Sequence, residues 1–222
     1  CGYIKVARTR ARFEDYKRSV STFNALGGAA EVISNERVKE IWPLATVDDL
    51  KGAVWEPGSG RLDPTGLVQA YAKGARSRGV TIVENCAVLG IEQNKGVVTG
   101  VVTSHGAIKC ETVVNCAGLW SRRIGEMAGV NVPLHATEHF YMLTKPIKGI
   151  HRNLPILNDP DGNVYMREDL GGLLVGCFEP GAKSLPLEKI PEEFSFGRLE
   201  EDWDHVGPYM QNAMQRVPAI ET

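Results

Sequence analysis

The sequence predicts a mixed fold, α/β and α+β, in which part of a Rossmann-like nucleotide-binding domain is interleaved with an antiparallel-sheet domain. Three stretches predict it. Residues 111–130, E-T-V-V-N-C-A-G-L-W-S-R-R-I-G-E-M-A-G-V, read as a short buried strand at 112–115 that runs through Cys116, Ala117 and Gly118 into a helix. Residues 63–84 read as a capped helix followed by a strand, and residues 137–144, 163–167 and 173–176 read as antiparallel strands. A strand-to-helix junction of small residues lets a ligand approach the backbone and meet helix amide groups, the geometry of a phosphate or dinucleotide site. Packing at an ordinary strand-to-helix turn accounts for the same residues.

The elements follow in chain order. Residues 2–7 suit a strand, and residues 12–26 carry Phe13, Tyr16, Val20 and Phe23 at helical spacing before Gly27-Gly28 ends the run. A shorter helix with Val38, Ile41 and Trp42 stops at Pro43. Trp42 and Phe23 read as buried anchors. Asp63 caps a helix that starts at Pro64, buries Leu67, Ala70, Tyr71 and Ala75, and ends before Gly79. Strands are then expected at 80–84, 88–92, 97–103 and 107–115, with turns at Asn94-Lys95-Gly96 and Gly106, as a small strand-rich insertion returning to a parallel sheet. Residues 137–144 place His139, Tyr141 and Leu143 on one strand face and Phe140, Met142 and Thr144 on the other. Strands at 163–167 and 173–176, a loop at 178–191 and an amphipathic helix over 199–214 complete the pattern. The division in sequence is 1–51 and 133–222 for the antiparallel domain, with 52–132 as a piece of the nucleotide domain.

Composition narrows the function. At 222 residues and 43% hydrophobic, the chain can bury a sizeable core, and its net charge of -2 with mixed signs offers no basic stripe for nucleic acid. No apolar run reaches the roughly 20 residues of a membrane span. Cys1, Cys86, Cys110, Cys116 and Cys177 lack metal-ligand spacing and read as reduced, buried thiols, with Cys116 structural rather than nucleophilic.

The run V-V-N-C-A-G-L-W-S resembles a late nucleotide-contacting turn of the FAD-dependent amine dehydrogenases in the D-amino-acid-oxidase-like superfamily, particularly the dimethylglycine and sarcosine dehydrogenases. G-Y-I-K-V-A at 2–7, P-G-S-G-R-L-D-P at 57–64 and L-P-I-L-N-D-P-D-G-N-V-Y-M-R-E at 154–168 resemble the same family in the same order. The resemblance implies FAD as cofactor, a substrate domain of D-amino-acid-oxidase type, and oxidative demethylation of a small N-methylated amino acid through an iminium. It also implies that tetrahydrofolate is met by a C-terminal domain, and a cytoplasmic site in bacteria or the mitochondrial matrix in eukaryotes. The family's opening G-x-G-x-x-G does not occur here, so the chain reads as an internal fragment, inactive and colourless alone. A related regulatory subunit of pyruvate dehydrogenase phosphatase keeps a non-catalytic reading open, and an oxidase acting on another amino acid is a further alternative.

Site residues follow from that resemblance. His139 in T-E-H-F-Y and Tyr165 in N-V-Y-M-R-E match the substrate-side His and Tyr of dimethylglycine-oxidising relatives, which would hold the amine in its neutral form over the flavin. Arg167 shares a strand face with Tyr165 and can meet a substrate carboxylate or an acidic neighbour. Val88 would meet the adenine through its backbone, and Cys116, Ala117 and Gly118 the nucleotide. Trp120 serves either as a flavin wall or as core, and Val88 equally suits plain core. His105, His135, His151 and His205 carry no expected catalytic role.

Overall fold

The computed structural model describes residues 1–191 and 194–221, so Thr222, the last residue of the 133–222 segment, lies outside them. The chain forms two compact units. The first comprises Cys1–Leu62, His139–Ala182 and Arg198–Thr222, and the second Asp63–Glu138 and Lys183–Gly197. The strand at 52–56, which the sequence division assigns to the nucleotide side, pairs inside the first unit.

The first unit is built on one sheet. Its strands are β1 (Tyr3–Ala7), β2 (Glu31–Ile33), β3 (Gly52–Glu56), β7 (Tyr141–Leu143), β8 (Ile156–Asp159), β9 (Val164–Asp169) and β10 (Gly172–Cys177), in the order β2-β3-β1-β8-β9-β10-β7. Every pairing is antiparallel except β1 with β8. Alternation sets the two faces. Ile4, Val6, Ala53, Leu157, Val164, Met166, Leu173 and Val175 point into one core, closed by Val38 and Trp42 from α2 (Asn35–Ile41) and its end, and by Val206, Met210 and Ala213 from α5 (Trp203–Arg216). Trp42 is fully buried and its indole N–H donates to the Pro155 carbonyl at 2.9 Å, which satisfies the one polar atom it brings inside. On the opposite face α1 (Arg10–Ala25), capped by the Thr9 hydroxyl, packs Tyr16 against Ala7, Ala30 and Val54. Phe23, expected to be an anchor, is 47% exposed because it lies beyond that contact near the helix end.

The rim of this sheet is fastened by charge. Asp159, fully buried at the end of β8, accepts from Arg8 Nη2 at 2.6 Å and from Arg216 Nε at 2.9 Å, and its other oxygen accepts the Gly162 N–H at 3.1 Å. Arg216, at the end of α5, also grips Asp49 with both terminal nitrogens, at 2.8 and 2.7 Å. Burial works against its charge, and Asp49 and Asp159 more than offset that, so its pKa rises. Elsewhere Glu168 is paired with Arg61 and accepts the Gly171 N–H at 3.0 Å. The Arg61 contact, then the Gly171 amide, hold its carboxyl below the usual glutamate value.

The second unit holds α3 (Pro64–Arg76), α4 (Ser121–Met127) and a three-stranded antiparallel meander of β4 (Val88–Asn94), β5 (Val97–Thr103) and β6 (Gly106–Lys109). Asp63 caps α3 as the sequence predicts, accepting from Thr65 and Gly66. The Lys95-Gly96 turn takes positive φ at both residues, the geometry that a two-residue hairpin requires. Ala136, Leu187 and Ile190 form a small core with Leu119, Leu185 and Phe194 packed on it.

Several expectations fail in this unit for one reason. Residues 80–84 and 112–115 run outside any strand, and β6 ends at Lys109. An extended apolar segment becomes a strand only beside a partner that takes its backbone hydrogen bonds, and among the described residues neither segment is paired. The expected stripe of α3 is likewise not buried, with Tyr71 at 72% exposure. The thiols also differ from expectation: all five are free, but Cys1 and Cys116 are exposed and only Cys177 is fully buried. No described helix is long and apolar enough to cross a membrane, and no described cluster of side chains could hold a metal ion.

Two outcomes test the rim. Asp159→Ala strands two guanidinium groups, one fully buried, and should destabilise the chain by about 3–5 kcal/mol in urea unfolding, whereas Asp15→Ala, in an exposed pair, should cost under about 1 kcal/mol. The Glu168 contribution is complete above its ordinary value of 4.5 and is lost as pH falls through the lowered folded value. Glu168→Gln should therefore flatten the acid limb of a stability profile, and an unchanged limb would place the sensitivity elsewhere.

Candidate active site

The antiparallel pairing of β7, β10 and β9 brings four side chains, two of them predicted from the sequence, to one end of the sheet. His139 lies two residues before β7, Phe178 and Glu179 directly follow β10, and Tyr165 is the second residue of β9. Tyr141, Gly176 and Tyr165 stand on one rung, since Gly176 is the partner of both tyrosines. The alternation expected over 137–144 holds: Tyr141 and Leu143 face outward, while Phe140 and Met142 pack against the core. The strand itself is shorter than expected because the backbone before it turns to pair Thr137 with Ser184.

His139 Nδ1 lies 2.9 Å from Glu179 Oε2. The Glu179 side chain is 1% exposed and that of His139 45%, so the ring is held from within and presents its other edge outward. The Phe178 ring lies between the two candidates, 5.4 Å from the His139 ring centre and 5.1 Å from that of Tyr165. Burial pushes the Tyr165 phenol upward, and Arg167 opposes the shift without cancelling it. The phenol thus stays protonated and can donate a hydrogen bond at neutral pH. Cys177, buried beside Glu179, is pushed up to about 12 by burial and then by that carboxylate, which makes it an inert thiol.

Gly176 is required by this packing. A Cβ there would stand 2.2 Å from Tyr165 Cζ, so the ring occupies the volume a side chain would take. Arg167 shares the Tyr165 face but is engaged by Asp169 at 2.8 Å and donates to the Glu168 carbonyl at 3.2 Å. Glu179, Phe178 and Gly176 escaped sequence reasoning. The only linear hint was an acidic residue placed between an apolar strand and a Pro-Gly turn.

The remaining candidates belong to the second unit. Val88 opens β4 opposite Thr103. Exposed Cys116 and half-buried Ala117 precede a 3-10 turn, Gly118–Trp120, in place of the direct helix start expected, and α4 follows it. The Asn115 side chain latches this turn, accepting from the Ala117 N–H at 3.2 Å and donating to the Ser121 carbonyl at 2.9 Å. Gly118 has φ +52, which favours glycine, and a Cβ there would meet nothing within 4 Å. Half-buried Trp120 closes the turn, its backbone N–H donating to the Ala117 carbonyl. An open turn of small residues fits the close approach of a nucleotide.

Gly176→Ala should move the Tyr165 ring off its rung at a cost of about 1–3 kcal/mol. A crystal structure of the variant checks it, and an unmoved ring would show that the glycine is not needed for it.

The chain is 40% identical to human mitochondrial sarcosine dehydrogenase over 99% of its own length and 24% of that protein. It is 38% identical to the mouse mitochondrial pyruvate dehydrogenase phosphatase regulatory subunit, over 100% of the chain and 25% of the relative. It thus spans about a quarter of the length of these relatives. The crystal structure of L-proline dehydrogenase from P. horikoshii superposes with a TM-score of 0.83 at 24% identity, covering 99% of this chain and 56% of that one, and shares the fold. The family model of the FAD dependent oxidoreductases matches residues 1–222 throughout, and the chain belongs to that family.

Proposed function

We propose that this chain is the substrate-side core, with part of the nucleotide-binding domain, of an FAD-dependent enzyme that oxidatively demethylates sarcosine or dimethylglycine. The observation that carries the reading is the grouping of His139, Glu179, Phe178 and Tyr165 in a chain 40% identical to a sarcosine dehydrogenase. FAD supplies the oxidising chemistry when bound, and Val88, Cys116, Ala117, Gly118 and Trp120 are the residues of this chain that would hold it.

The protein's own part is to prepare the amine. A protonated amine has no free lone pair and resists oxidation at the neighbouring C–H bond. His139 takes up that proton at Nε2, Tyr165 donates a hydrogen bond from its phenol to orient the substrate, and Phe178 keeps water from the space between them. Arg167 is the proposed carboxylate partner, which it would meet by giving up Asp169. The iminium product, transfer of its one-carbon unit to tetrahydrofolate elsewhere in the protein, and a matrix location in eukaryotes or a cytoplasmic one in bacteria belong to the same proposal.

Asparagine at 139 keeps a donor near the Nδ1 position and removes Nε2. In the flavin-loaded enzyme, His139→Asn and Tyr165→Phe should each slow flavin reduction by sarcosine or dimethylglycine without loss of bound flavin. For one of them the loss should reach at least about tenfold, roughly 1.4 kcal/mol of transition-state stabilisation. Rapid-reaction absorbance reads this step directly. Unchanged rates in both variants would remove the pair from the site, and a wild-type flavin that no N-methylated amino acid reduces would favour the regulatory reading.

A further inference from the structure

We propose that Glu179 is a positioning residue of this site: it holds His139 in the tautomer that carries its proton on Nδ1 and turns the Nε2 lone pair outward. The mechanistic half of this inference rests on the reading that His139 faces the substrate amine. The tautomer half stands on geometry alone.

An ionised carboxylate can only accept, so the 2.9 Å contact with Glu179 Oε2 requires the proton of a neutral ring to sit on Nδ1. The opposite tautomer would set a ring lone pair against a carboxylate oxygen. Glu179 is poorly placed to tolerate that, because its Oε1 is buried without a hydrogen-bond partner among the described residues. The His139 N–H is then the contact that satisfies this carboxylate, and the ring cannot leave without orphaning both oxygens. Phe178, the residue before Glu179, lies against the His139 ring and limits its rotation. A buried acceptor behind the ring, an aromatic wall beside it and an exposed far edge together fix which nitrogen meets a ligand.

The resulting proton step balances without a further reagent. The N–H bond of a substrate ammonium breaks, an Nε2–H bond forms, the amine keeps the electron pair, and His139 becomes an imidazolium whose charge faces Glu179. The carboxylate does not take the proton. It makes the cation tolerable and keeps the accepting nitrogen aimed.

The test has two readouts. Long-range proton–nitrogen NMR of the histidine-labelled chain, recorded at alkaline pH, should show His139 protonated on Nδ1. Its signals are identified by their loss in His139→Asn. In Glu179→Leu the proton should move predominantly to Nε2. A wild-type ring protonated on Nε2 overturns the proposal without any variant, so failure of Glu179→Leu to fold leaves it testable. In the flavin-loaded enzyme, Glu179→Leu should slow flavin reduction by sarcosine at least about tenfold, and Glu179→Leu with His139→Asn should lose no more than the worse single variant. Losses that multiply would show that Glu179 acts independently of His139. Absence of any reduction by amines would overturn the proposed reaction, while the NMR result would still decide the tautomer.

Discussion

The buried carboxylate of Asp159 is the constraint on which the first unit depends. It lies at the end of β8 and receives Arg8, which immediately follows β1 by one residue, and Arg216, the last residue of α5. Residues far apart in sequence are thereby held to one point, and Arg216 extends the tie to Asp49 in the segment before β3. Such a group is costly to bury and stays only if each charge is matched, so the node tolerates few arrangements of the strands and helix around it. Hydrophobic burial holds the sheet to α2 and α5. The ion network ties the end of β8 to the end of α5 and to the residue after β1.

The strand register determines what the outer sheet face presents. With the core side of β9 and β10 given to Val164, Met166, Leu173 and Val175, alternation leaves Tyr165, Arg167 and Gly176 on the other face. The polar cluster is therefore the complement of the core: shifting β9 by one residue would bury Tyr165 and expose Met166. The same logic separates the thiols. Cys177 closes the buried run of β10, while Glu179, two residues further on, sits where the strand has ended and a buried carboxylate can find the ring of His139.

Local signals in the sequence were legible wherever one segment decides its own conformation. Asp63-Pro64 opened α3, Lys95-Gly96 turned the β4–β5 hairpin, and alternation assigned the faces of β7 and β9. What failed depended on a partner. The segments at 80–84 and 112–115 have strand composition but no described ladder neighbour, and the α3 stripe has helical spacing without burial. The site divides in the same way. Family resemblance pointed to His139 and Tyr165, whereas Glu179 became visible only once antiparallel pairing set the end of β10 beside the start of β7. No spacing rule connects residues 40 positions apart.

The rung Tyr141–Gly176–Tyr165 is also a gauge. Its outer members are separated by two strand spacings, about 9.6 Å, a distance set by backbone hydrogen bonding and indifferent to the side chains it carries. The middle member is a glycine, and the Tyr165 ring lies over it in the volume that a side chain would otherwise take. The spacing of the two tyrosines cannot widen or narrow without breaking the ladder. Any change in what this rung presents must therefore come from substitution of the side chains on it, while the backbone spacing stays the same.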